Sequence, residues 1–211
     1  MLIDNGCLKK SIMTLLFRND VNDDWNNDID LASRKAYADM ASHTLHLNNP
    51  EKKEELKDEG CRVLREAIRN ECKSIIDAKQ FDDWHRSVCY RLQDTYKGHI
   101  KDAVSITFGQ AQKWLNMTIK YYYIICEINN REDHVDLPFF QFAHVPVDSI
   151  MYDVIEKELE IKKPEVAWSK LDDYDMYLDY QKTIREKVPA LEECYNKKWP
   201  LAWEMNNWEP R

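Results

Sequence analysis

Apolar residues recur at intervals of three and four along most of this chain, the spacing of one buried helical face. Ile12, Leu15, Leu16 and Phe17 predict a helix from about Gly6 to Arg18. Leu31, Ala38 and Leu45 form the stripe of a second, capped by Asp28 or Asp30 and running to about Leu47. The clearest pattern follows Asn49, a capping residue with Pro50 behind it and Glu51, Glu54 and Glu55 in the first turns. Cys61, Leu64, Ile68, Cys72, Ile75 and Ile76 then share one face, which predicts a single helix through that region. Gly60 inside it is expected to cost about 1 kcal/mol. Further helices are predicted from Asp82 to Gly98, Thr107 to Ile128, Val147 to Leu159, Leu171 to Lys187 and Ala190 to Asn206. The loop between Asn129 and Pro146 is too long for a simple connector, and loops of that length often carry function. The expectation is an all-α chain, one domain over residues 1–211, built of two packed helical lobes near 1–100 and 101–211.

Composition narrows this picture. With 211 residues, 44% of them hydrophobic and 32% charged, the chain is long enough for one sizeable core. Only 4 glycines and 7 prolines argue against an all-β fold. The net charge of −8 disfavours tight or non-specific binding to a phosphate backbone, though a local basic patch can sit on an acidic molecule. The six cysteines, Cys7, Cys61, Cys72, Cys89, Cys126 and Cys194, form no C-x-x-C pair. On one helix Cys61 and Cys72 would stand roughly 16 Å apart, too far for a disulfide. Free thiols in a reducing cytoplasm are the expectation. The N-terminus does not read as a signal peptide, and no stretch approaches the ~20 apolar residues of a membrane span. Nothing in the spacing calls for a metal or cofactor.

The candidate chemistry lies in "FGQAQKWLNMTIKYYY" and "FAHVPVDSIMYDVI". Lys113 and Lys120 are seven apart on one helix and share a face. Singly, each reads as a solvated surface charge, and Asp148 reads as helix N-terminal chemistry. Taken together, Gly109, Ala111, Lys113 and Asn116, then Val145-Pro146-Val147-Asp148-Ser149, resemble the catalytic core of the helix-hairpin-helix DNA glycosylases. Gln112-Lys113, Lys120, the long insert and Pro146-Val147-Asp148 look most like the archaeal 8-oxoguanine DNA glycosylase branch. The resemblance covers about residues 107–160. It departs from the family at Ala111, where a second hairpin glycine is usual, at Ile150 after Ser149, and in lacking an iron–sulfur cysteine set.

The resemblance implies DNA repair: a damaged base flipped into a pocket and removed through a Schiff base on Lys113, with Asp148 stabilising the developing positive charge. Lys120 and Gln112 would contact substrate, and Trp114, Trp84 or Trp168 would stack on the base. Damaged DNA would be the partner. The alternative is a non-catalytic, repurposed relative that binds another protein through the aromatics of its C-terminal third. A third reading is an enzyme acting on a small nucleotide.

Other residues have plain explanations beside sharper ones. His85 lies next to Asp82 and Asp83 and could act as an acid or base, or belong to a capped helix start with Trp84 in the core. Asp39, His43 and His46 have the spacing of half a metal site without a third ligand region. Asp172, Asp173, Asp175 and Asp179 crowd one helix without a calcium-loop spacing. Tyr121, Tyr122 and Tyr123 cannot all face one way.

Overall fold

The computed structural model describes residues 12–17, 25–129, 131, 137–190 and 199–208. Residues 12–17 are helical. They are followed by α1 (Trp25–Ala41), α2 (Lys53–Asn70), α3 (Ala78–Thr95), α4 (Phe108–Ile128), α5 (Ser149–Leu159), α6 (Tyr174–Lys187) and α7 (Pro200–Asn207). Among the described residues there is no strand, only an isolated antiparallel bridge between Leu47 and Ile100. None of the helices searched among them is long and apolar enough to cross a membrane.

Side-chain caps set most helix starts. Asn49 accepts from the Glu51 amide, and a 3-10 turn over Pro50–Lys52 leads into α2. Asp77 caps α3, Asp148 caps α5 and Asp173 caps α6, each accepting an amide three residues on. Thr107 and Gln110 form a reciprocal capping box at the start of α4. Each such cap contributes about 1 kcal/mol.

The chain departs from its apolar periodicity in four places. α1 ends at Ala41, short of Leu47, because residues 46–48 leave the helix to pair with a second loop. There Asn48 donates to the His99 carbonyl at 2.9 Å and Lys101 to the His46 carbonyl at 2.8 Å. α2 ends at Asn70; a 3-10 turn over Cys72–Ser74 and an extended Ile75 break the long helix that the face from Cys61 to Ile76 predicts. α3 therefore starts at Ala78 and Asp82 lies inside it, not at its cap. The last helix starts at Pro200 rather than Ala190, while the predicted start at Gly6 and the segment 191–198 lie outside the described residues.

One cluster of buried side chains runs from Met13 to Trp203, drawing on both predicted lobes. α4 is its axis: every residue from Phe108 to Lys120 is buried. Lys113 and Lys120 are therefore not solvated charges. Two glycines allow the neighbours of α4 to come close. A Cβ at Gly60 would lie 2.1 Å from the Trp114 ring, so α2 reaches α4 only across a glycine. Gly60 is a packing requirement, not a tolerated weak point. A Cβ at Gly109 would lie 1.7 Å from the Trp168 carbonyl oxygen, and the Gly109 amide donates to Leu171 O at 2.6 Å. Residues 168–172 thus close over the start of α4, with Asp172 accepting from the Phe108 amide at 2.9 Å.

Candidate functional site

A stretch of helix buried throughout from Phe108 to Lys120 that carries Gln, Lys, Asn, Thr and Lys must satisfy each of them, because an unpaired buried polar group costs more than its hydrogen bond contributes. α4 does so by reaching distant parts of the chain. Lys113 Nζ donates to Asp148 Oδ2 at 2.7 Å, with side-chain exposures of 7% and 18%. The other oxygen, Oδ1, caps α5 through the Met151 amide at 2.8 Å. Asp148 thus serves the helix start and the lysine at once. Two turns along, Lys120 Nζ donates to Glu204 Oε1 of α7 at 2.8 Å and lies 5.1 Å from the Trp208 ring centroid. Glu204 is 1% exposed, and its Oε2 has no hydrogen-bond partner among the described residues. Burial raises the Glu204 carboxyl above the usual carboxylate range, against the pull of Lys120 and Lys113; the Asp148 charge adds to the rise. Two lysines and two carboxylates therefore sit within electrostatic reach of one another.

A chain of neutral and charged hydrogen bonds runs behind this cluster. Asp82 accepts from Arg185 at 2.8 Å and meets His144 Nε2 at 2.9 Å. His144 Nδ1 meets the Tyr177 hydroxyl at 3.0 Å, and Tyr177 accepts from Asn116 Nδ2 at 2.8 Å. Asn116 also donates to Gln112 at 3.0 Å, and its Oδ1 meets His85 Nε2 at 3.0 Å. One proton arrangement satisfies all of these contacts: an ionised Asp82, and Nε2–H tautomers at both histidines. Burial of Asp82 opposes ionisation, but its bonds to His144 and Arg185 prevail and hold the carboxyl below the usual range. Burial lowers His144 to about 4, against its bond to Asp82, and pushes His85 well below its ordinary value.

This network grips the segment that carries Asp148. Gln181 bonds both the amide and the carbonyl of Val145, at 3.0 and 2.8 Å, and Gln112 reaches the Val147 carbonyl at 3.3 Å. Gln112 therefore acts on the 145–148 backbone within the protein. The three candidate tryptophans are not gathered around the lysine. Trp114 is fully buried, donates to Ser33 O at 2.9 Å and packs on Tyr37 and Gly60. Trp84 is in the core against Phe81 and Phe139. Trp168 is half-buried over Gly109.

His85 does not hydrogen-bond Asp82; it meets Asn116 and Cys89, stacks on the Tyr177 ring at 5.5 Å and has the His144 ring 4.5 Å away. Asp39 turns to Lys35 and Tyr121, away from a shared site with His43 and His46. Asp172 bonds Phe108, Asp173 caps α6 and Asp175 pairs with Arg86. No group of three or more metal-ligating side chains occurs among the described residues. Cys61, Cys72 and Cys89 are free and buried, and Cys126 is buried; Cys7 and Cys194 lie outside the described residues. Tyr174, Tyr177, Tyr180 and Trp203 are core, while among the described residues Trp208 is 40% exposed and Trp168 and Trp199 are half-buried.

Glu204, His144, Tyr177 and Arg185 are the network residues that sequence reasoning passed over. For Asn116 a signal existed: it stands four residues after Gln112, on one face of a helix otherwise rich in apolar side chains. For Glu204 there was none. These features define an all-α protein whose central helix is held by buried ion pairs and a polar network. No family model, curated protein or solved structure matches the chain.

Proposed function

We propose that this is a DNA glycosylase-like protein that removes a damaged base, such as 8-oxoguanine, with Lys113 as nucleophile and Asp148 as its carboxylate partner. The observation that carries the reading is the 2.7 Å contact between two side chains 35 residues apart in sequence, one on α4 and one at the first turn of α5. That is the nucleophile–carboxylate pairing the chemistry needs. Asp148 would accept a proton from Lys113 across this contact. The freed amine would attack the sugar carbon as its bond to the base breaks, and the base would leave with the bonding electron pair. Ring opening would give the Schiff base on Lys113. With Lys113 only 5% exposed, a substrate would have to displace part of its cover.

Borohydride trapping tests this on duplexes carrying 8-oxoguanine, other oxidised bases or an abasic site. A covalent adduct that disappears in Lys113→Gln is expected. A full lesion panel without an adduct would overturn the reading. The alternative would then stand, a non-catalytic all-α protein that binds another protein, and it has its own support. Gly109, which a DNA-clamping hairpin would present to a phosphate, is covered by Trp168 and Leu171, and Trp114 is sealed in the core.

A further inference from the structure

A concave site lies away from the Lys113–Asp148 pair, between the end of α1, the loop after it and the first turns of α2. It encloses about 730 Å³, within the range typical of small-molecule sites. Its charge is opposite to that of the molecule. Arg34, Lys53, Lys57 and Lys101 line it, with Glu54 as the sole lining carboxylate and His43 and His46 beside them. The chain as a whole carries −8.

The cations are held there by defined structure. Arg34 is fixed by Asp58 at 2.8 Å, and Lys57 pairs with Glu54. Lys101 arrives from a different part of the chain on the bridge between Leu47 and Ile100, its amide bonded to the His46 carbonyl at 2.8 Å. Lys53 and Lys101 have no carboxylate within ion-pair distance among the described residues and are both exposed. Tyr37, Leu45 and Leu47 supply an apolar side to the same cleft. Unmatched cations beside an apolar wall suit a ligand that is anionic at one end and flat or apolar at the other. At this cleft a short ligand is favoured over a long polyanion, because each phosphate beyond the cleft would meet no further cation from its lining.

We propose that this cleft binds a small phosphorylated ligand of mononucleotide size, with its phosphates between Lys53 and Lys101 and its apolar body toward Leu45. Calorimetric titration of the full chain with ATP, AMP, pyrophosphate and adenosine tests it. ATP is expected to bind, adenosine not, and affinity should fall as salt rises from about 50 to about 300 mM. Lys53→Ala/Lys101→Ala, two exposed changes whose retained helicity is checked by circular dichroism, should weaken ATP by about tenfold or more. No heat with any phosphate up to about 1 mM would overturn the proposal, as would ATP binding that the double variant leaves intact. So would a single-stranded oligonucleotide that binds through these lysines when ATP does not. Lys113→Gln, which leaves this cleft untouched, should bind ATP like the unaltered protein, so the base-excision reading and this one fail separately.

Discussion

Asp148 is asked to do two things with its two oxygens, and this makes its charge and its cap separable. Asp148→Asn keeps an oxygen for the Met151 amide and loses only the charge opposite Lys113. Breaking a buried pair from one side strands the other charge, so this variant should lose about 3 kcal/mol in urea unfolding, and Lys113→Met a similar amount. The double variant should recover a large part of that loss, because no stranded charge remains; strictly additive losses would show that the pair is not coupled. The histidines make a further prediction at this scale. In the unfolded chain His144 protonates near 6.5, whereas in the fold it stays neutral down to about 4. Between these values the unfolded state takes up a proton that the folded state refuses, so stability present above pH 6.5 is lost as pH falls. His144 alone accounts for about 3 kcal/mol of that loss, and His85 shifts in the same direction. The depressed Asp82 carboxyl extends the loss below the ordinary carboxylate range. Urea midpoints measured from pH 7 to pH 4 should fall steadily; a flat profile would contradict the neutral histidines.

Between elements, the tightest constraint is the passage of α2 over the Trp114 ring. Gly60→Ala would improve the intrinsic helix propensity of α2. Its methyl would nevertheless enter the indole, so a net loss of about 1–3 kcal/mol in thermal or urea unfolding is expected. A gain would mean that α2 and α4 can separate at little cost. This position also shows how far the sequence could be read. Periodicity and capping residues located most helices, because those signals are local: Asn49, Thr107 and Gly98 lie at or beside the observed ends. The long helix through Cys72 was misread because apolar spacing continues across a break that Asp77 and the turn at Cys72–Ser74 impose. The requirement for Gly60 was invisible, since it depends on a ring 54 positions away. The Lys113–Asp148 contact was legible only as a motif pair, and the burial of Lys120 was not, because its partner stands on a helix that shares no local pattern with it.

In the whole molecule, charge is distributed unevenly. The net balance is acidic, the buried lysines Lys113 and Lys120 are each neutralised by a carboxylate, and one cleft, with two distant loops for its rim, is lined by four cations and a single carboxylate. A core built this way closes around its ion pairs instead of excluding charge. The pairing of Lys120 with Glu204 has a consequence in time as well as in space. The two residues are 84 positions apart. A ribosome adding about 5–20 residues per second needs roughly 4–17 s to make that stretch. During this interval the central helix carries a cation whose counter-charge has not yet been synthesised. Until it appears, water is the better partner for that lysine, because burying it unpaired would cost several kcal/mol.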